Sequence, residues 1–127
     1  MRNRNGRRYE IVRRILSELY KSDEPKQLAK SQFLDYPDID TDTLDEYIER
    51  LLELGMIEIE GNNTYQLTWE GEDFLGFSND NVIWQAAKQV AGDLSFHCFH
   101  SILKDLMLWK ARKVAEEFFQ KAERKQK

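Results

Sequence analysis

The chain has 127 residues, of which 41% are hydrophobic, so it is long enough to bury the core of one domain. Charged residues make up 33% and are of both signs, which argues against a disordered chain. Cys98 is the only cysteine, so no internal disulfide forms, and the longest apolar run, Leu106–Trp109, is too short for a membrane span or a signal peptide. We therefore expect a cytoplasmic protein that does not contact a membrane.

The formal net charge of −4 conceals a segregation of charge along the chain. Residues 1–21 carry a net charge of +5 and residues 96–127 carry +4, whereas residues 22–60 carry −9 and residues 61–95 carry −4. Both ends are basic and the middle is acidic, which restricts the surfaces on which a nucleic acid or an acidic partner could bind.

Three helices are predicted in the first half of the chain. The first covers Arg7 to Tyr20, where apolar residues at steps of three and four form one face. Residues 26–36 predict a second, short helix that Pro37 ends, because the residue before a proline avoids helical geometry. The third follows an N-cap at Asp40 or Thr41. Its apolar stripe consists of Leu44, Tyr47, Ile48, Leu51 and Leu52.

A small hairpin follows the third helix. Gly55 has the position of a left-handed C-cap, and residues 56–60 and 64–67 predict two strands, with Ile57 and Ile59 on one face of the first. Three helices, a glycine and a hairpin are the order of a winged helix-turn-helix domain. We predict such a domain, with a basic N-terminal arm, over residues 1–77; the alternative is an unrelated α+β domain with one hairpin.

Residues 78–127 predict a helical extension that packs on the winged-helix domain to form one structural unit. A short helix begins after Thr68 and another spans about Asp80 to Val90, and Ser95 then caps a last helix that reaches Lys125. A helix of that length measures about 45 Å, whereas a compact domain of this size is only about 35 Å across. Part of the last helix therefore projects or packs on another chain.

The second half of the last helix predicts a seam between two helices. Small and large apolar residues repeat there at steps of three and four, and the alanines allow a partner helix to approach closely. The predicted seam consists of Leu108, Ala111, Ala115, Phe118 and Ala122. We expect a homodimer built on this helix; the alternative is a helix folded back on its own domain.

The run Leu67-Thr68-Trp69-Glu70-Gly71-Glu72-Asp73-Phe74-Leu75, followed by Asp80, Ile83-Trp84 and Lys88, resembles a family of small proteins of bacteria and their phages that is classed as a domain of unknown function. The resemblance extends to residues 8–16 and 51–58. It implies a winged-helix-like fold and no established activity. We interpret its motif residues as structural, with Thr68 as a helix cap, Gly71 at a close contact, and a set of core residues. This set consists of Trp69, Phe74, Leu75 and Trp84.

No enzyme signature is present. The sequence has no glycine-rich phosphate loop and no nucleophile elbow, so we predict a protein without catalytic activity or cofactor. His97, Cys98 and His100 are the only cluster of metal-ligand types, but a metal site needs further ligands from another element. We therefore expect them to bind no metal.

Charge decides which partner a winged-helix domain of this sequence would bind. Contacts to phosphate groups require Lys and Arg side chains. The third predicted helix contains only one basic residue, Arg50, among several acidic residues. Its acidic residues, Asp42, Asp45, Glu46, Glu49 and Glu53, predict contact with a basic protein partner instead. An acidic residue in the first turn of a helix stabilises the helix dipole, which explains the presence of Asp42. Glu49 and Glu53 lie too far along the helix for this explanation.

The basic residues of the N-terminal region are candidates for contact with nucleic acid or with an acidic partner. They are Arg2, Arg4, Arg7, Arg8, Arg13 and Arg14. The alternative is that they are solvated charges. We favour a non-enzymatic module for protein–protein interaction and homodimerisation over the alternative, a nucleic-acid-binding transcriptional regulator of bacterial or phage type that uses the basic arm and the last helix.

Overall fold

The computed structural model describes residues 4–92 and 95–125, and it describes the side chains of all of these except residues 4–6 and 125. The described part of the chain is mainly helical, with one small antiparallel sheet and a long C-terminal helix. Its elements are α1 (Arg4–Tyr20), a 3₁₀ helix (Lys30–Phe33), α2 (Thr41–Glu53), β1 (Ile57–Ile59), β2 (Tyr65–Leu67), α3 (Trp69–Ser78), α4 (Asn81–Ala91) and α5 (Phe96–Lys125). The chain divides into two compact units, Met1–Gly76 and Phe77–Lys127.

Helix α1 confirms the first predicted helix and starts three residues earlier than expected. Its predicted apolar face is buried, apart from Tyr20 at its end, which is exposed. Helix α2 is also confirmed, including its N-cap, because the Asp40 carboxylate accepts a hydrogen bond of 2.7 Å from the backbone N–H of Thr43. It ends before Gly55, whose φ of +72° is the left-handed value predicted there.

The second predicted helix is wrong over most of its length. Only Lys30–Phe33 form a single 3₁₀ turn, and Phe33 is the residue that this turn buries. Upstream of the turn, Lys26 and Tyr65 exchange two backbone hydrogen bonds of 2.9 and 2.8 Å. The backbone of Lys26 thus extends the edge of β2, so it cannot belong to a helix.

The hairpin is confirmed in a shorter form. Ile57 pairs with Leu67 and Ile59 pairs with Tyr65 in an antiparallel register. The turn between them uses left-handed geometry at Gly61 and Asn63. Ile57 is buried, whereas Ile59 is 58% exposed because it lies two residues further along the strand towards this turn.

The start of α3 packs closely against the residues that follow α2. The hydroxyl of Thr68 accepts a 3.2 Å hydrogen bond from the N–H of Gly71 and donates to the carbonyl of Gly55, which confirms Thr68 as a cap. A Cβ atom on Gly71 would lie only 2.2 Å from the carbonyl oxygen of Met56, so the close contact expected at this glycine is confirmed. Phe74 is buried as predicted. The prediction for Trp69 is wrong, since its side chain at the first residue of α3 is 87% exposed.

The second unit is built on α4 and α5. The Asp80 carboxylate caps α4 through a 3.1 Å hydrogen bond from the N–H of Ile83, and Gly92 follows the helix with φ +51°. The hydroxyl of Ser95 accepts a 3.3 Å hydrogen bond from the N–H of Cys98 at the start of α5, as predicted. No helix in the described residues combines the length and the apolar character needed to cross a membrane.

Candidate interaction surface on the C-terminal helix

The first turns of α5 are anchored in the core of the second unit. Phe96, Phe99 and Leu103 are buried, and the Phe99 ring meets the Trp84 ring edge-on with centroids 5.2 Å apart. Each of these residues lies three or four positions from the next, so together they form one face of the helix. This face holds the N-terminal part of α5 against α4.

The C-terminal part of α5 leaves the core. Every residue from 108 to 121 is exposed, including large apolar side chains that normally are buried. Phe118 is 68% exposed and Phe119 is 65% exposed. Seven apolar residues lie on one face of this part of α5, and we call them the distal stripe. They are Leu108, Ala111, Val114, Ala115, Phe118, Phe119 and Ala122.

The distal stripe is distinct from the buried face of α5. Since successive residues of a helix are rotated by about 100°, the centre of the stripe lies roughly a third of a turn from the line through Phe96, Phe99 and Leu103. In line with the buried face, the positions after Leu106 are polar at Lys110, Lys113 and Glu117. The two faces meet at Val114, which lies five helical turns after Phe96. The helix therefore has two apolar faces in succession, and only the first of them is covered within the second unit.

An ion pair links α5 to the N-terminal end of α4 at the junction of the two faces. The ammonium group of Lys110 donates a hydrogen bond to the carboxylate of Asp80, the residue that caps α4. This bond, together with the N–H of Ile83, lowers the pKa of Asp80 below its ordinary value. The ion pair joins the two helices beyond Leu103, the last fully buried apolar residue of α5.

The five seam residues predicted from the sequence lie on the distal stripe, and all are exposed except Ala122, which is half-buried. The sequence prediction missed Val114 and Phe119. Val114 belongs to the row Ala111, Val114, Phe118, whose steps of three and four would have identified it. With these two residues included, the distal stripe occupies the a and d positions of a heptad and the positions next to them. This pattern is typical of helices that pack through a broad surface.

Three arginines of α1 form ion pairs within the first unit. Arg7 forms an ion pair with Asp38, and Arg14 contacts Asp35 at 2.5 Å and Glu18 at 3.1 Å. Arg13 lies 3.8 Å from Glu10, and Arg8 is exposed. Arg2 lies outside the described residues, as does the side chain of Arg4.

Glu18 is the centre of this ion-pair network. Partial burial by itself would raise the pKa of Glu18, but hydrogen bonds from Arg14 and Lys26, with the charges of Lys21 and Lys26, outweigh it and lower the pKa. The Lys26 ammonium lies 3.4 Å from the Glu18 carboxylate. The network therefore fastens α1 to the segment after it and uses basic charge that the sequence had suggested for a binding surface.

The acidic residues of α2 are on the outer side of that helix. All five predicted positions, Asp42, Asp45, Glu46, Glu49 and Glu53, are exposed. Arg50 is exposed as well. The Asp40 carboxylate has a lowered pKa because it accepts hydrogen bonds from Thr43. This acidic side of α2 carries no large exposed apolar side chain, in contrast to the distal stripe.

His97, Cys98 and His100 lie in the first turns of α5. His97 and Cys98 are exposed, and His100 is half-buried. Among the residues that the structure describes, no group of three or more His, Cys, Asp or Glu side chains is arranged to hold a metal ion.

The chain belongs to a protein family, because a family model matches residues 6–97, more than half of its length. The description of the family is "Hypothetical protein (DUF2513)". The match covers α2, the sheet, α3 and α4, nearly all of α1 and the first residues of α5, so the distal stripe lies beyond it. No curated protein and no solved structure matches the chain.

Proposed function

We propose that this protein is a non-enzymatic module for protein–protein interaction, and that it forms a homodimer through the distal stripe of α5. The observation that carries the proposal is the exposure of Phe118 and Phe119 on a helix whose earlier apolar face is already packed. Soluble monomers rarely expose a continuous apolar face of this kind, and such faces mark interaction sites. Aromatic residues at the centre of such a face supply much of the binding free energy.

We also propose that the first unit is a domain of the winged-helix type. The order of α1, a helical turn, α2, Gly55 and a two-stranded hairpin supports this assignment. Fold alone does not fix function, and the exposed acids of α2 oppose docking of that helix to phosphate groups. A basic segment of a protein fits the acidic side of α2 better than DNA does.

Light scattering after size-exclusion chromatography tests the homodimer. We expect a dimer at micromolar concentration, and we expect Phe118→Ser to weaken it at least about tenfold because a central aromatic anchor is removed. Since Phe118 is 68% exposed, this substitution leaves the fold of a single chain intact. Gln120→Ala, on the opposite side of the same helix, is the matched control. A monomeric parent protein, or equal masses for the two variants, would overturn the proposal.

Nucleic-acid binding through the basic arm is the alternative and has less support. Arg7, Arg13 and Arg14 each pair with a carboxylate in the first unit, so their charge is partly neutralised. Fluorescence anisotropy with a labelled random DNA duplex distinguishes the two functions. We expect no binding at physiological salt. Binding that falls steeply with salt and is abolished by Arg8→Ala would favour the alternative.

A further inference from the structure

In the distal part of α5, a block of basic residues and a block of acidic residues lie on opposite sides of Val114. Lys110, Arg112 and Lys113 form a basic block on the N-terminal side of Val114, and Glu116-Glu117 form an acidic block after Ala115. The side chains of both blocks, like the residues between them, are exposed. A reversal of the helix about Val114 therefore brings each block level with the position of the other.

From this order we infer that the two copies of α5 pair antiparallel, with the two-fold axis passing close to Val114. This inference rests on the proposed homodimer and specifies its geometry. A two-fold axis across the helices makes residues equidistant from Val114 face each other, so that Arg112 lies level with Glu116 of the second copy. The same contact occurs twice, once on each side of the axis. Opposite charges at the edges of an apolar seam fix its orientation and register.

The sizes of the side chains favour the same arrangement. An antiparallel pair centred on Val114 brings the small Ala111 to within one residue rise, about 1.5 Å along the helix axis, of the level of Phe118 of the second copy. Large and small side chains then interdigitate, as they do in well-packed seams. A parallel pair in register would put Phe118 against Phe118 and Ala111 against Ala111, which crowds one layer and leaves a gap in the other.

Charge also opposes the parallel pair. In register, the basic block at Lys110–Lys113 would lie level with the same block of the second copy, and Glu116-Glu117 would lie level with Glu116-Glu117. Like charges next to each other at an interface weaken binding and select against that orientation. Only the antiparallel pair joins both blocks to their opposites.

The distance between two spin labels decides the orientation. For this measurement, Cys98→Ser removes the only thiol of the chain, and Glu123→Cys introduces a new one at the edge of the distal stripe. The new thiol is labelled with a nitroxide. In the antiparallel dimer the two labelled positions are about 27 Å apart along the helix axis, whereas in a parallel dimer they are level. Electron–electron double resonance on a sample of known mass measures this distance.

Three outcomes are distinguishable. A dimer with the long distance supports the antiparallel pair. A dimer with a short distance overturns it and leaves the proposed homodimer standing. A sample that is monomeric, with no distance between labels, overturns both.

A charge exchange provides an independent measurement. Arg112→Glu alone is expected to weaken the dimer several-fold, because it places two carboxylates opposite each other, and adding Glu116→Arg is expected to restore it. A double variant as weak as Arg112→Glu would contradict the inferred contact. Arg124→Glu, outside the two blocks, is the control and is expected to have a smaller effect.

Discussion

Gly71 shows how a single residue determines the junction between α2 and α3. Its Cα approaches the Met56 backbone so closely that a methyl group would collide with the carbonyl oxygen at 2.2 Å. Neither atom can move without shifting α3 or the start of β1. Gly71 is therefore required for packing, and no left-handed backbone angle is involved.

Gly71→Ala is expected to lower the free energy of unfolding by about 1–3 kcal/mol, the usual range for overpacking a tight contact. Gly76→Ala is the matched control in the same helix, because a Cβ atom there has nothing within 4 Å. The control is expected to be neutral or to stabilise the protein by about 0.5–1 kcal/mol through helix propensity. Denaturant unfolding followed by circular dichroism measures both. Equal effects of the two substitutions would contradict the packing role of Gly71.

Glu18 gives a prediction that depends on pH. Its carboxylate has a lowered pKa in the folded protein, so its contribution to stability is present above its ordinary pKa near 4.5 and is lost as the pH falls through the folded value. Glu18→Gln is expected to cost about 1–3 kcal/mol at neutral pH, because hydrogen bonds from charged groups are lost. The difference between parent and variant is expected to shrink as the pH is lowered below 4.5.

Urea unfolding at several pH values measures this difference. Glu24→Gln changes an exposed carboxylate in the segment after α1 and serves as the control, for which we expect almost no effect at any pH. A Glu18→Gln curve that coincides with that of the parent protein over the whole range would show that the ion-pair network does not stabilise the folded state, and a parallel curve with a constant offset would contradict the predicted pH dependence.

At the scale of elements, the cap of α3 joins two parts of the first unit. The hydroxyl of Thr68 both accepts from Gly71 and donates to Gly55, so it caps α3 and satisfies a carbonyl next to the end of α2. Thr68→Val keeps the shape of the side chain and removes both bonds. We expect a loss of about 1 kcal/mol. Thr41→Val, at the exposed first residue of α2, is the control in thermal unfolding, and an equal loss there would contradict the cap.

The helices and the hairpin could be predicted from the sequence because their signals are local. Caps such as Asp40 and Ser95, and a left-handed glycine such as Gly55, act within a few residues of their position. The failure over residues 26–36 has a non-local cause, since Lys26 pairs with Tyr65, which is far along the chain. Hydrophobic spacing cannot reveal that pairing.

Exposure was harder to predict than secondary structure. Trp69 belongs to the same apolar motif as Phe74, yet it lies 87% exposed at the start of α3 while Phe74 is fully buried. Spacing along a helix indicates which residues share a face, but the extent of the neighbouring elements determines how much of that face is covered. The same reason applies to α5, where spacing placed the predicted seam residues on one face but did not indicate what covers that face.

At the scale of the whole molecule, the chain forms two compact units, and the distal stripe belongs to the second. If α5 pairs with a second copy, folding and association are linked, so the temperature of unfolding rises with protein concentration. A monomer whose α5 projects into water has no such dependence. We therefore expect a higher transition temperature for the parent protein at high concentration, and a smaller rise for Phe118→Ser.

Sedimentation equilibrium of the unmodified chain, from low to high micromolar concentration, tests the homodimer most directly. We predict a reversible monomer–dimer equilibrium whose mass approaches twice that of one chain and does not rise further, since a two-fold pair is closed. A mass equal to one chain at every concentration, with Phe118→Ser indistinguishable from the parent protein, would contradict self-association through the distal stripe.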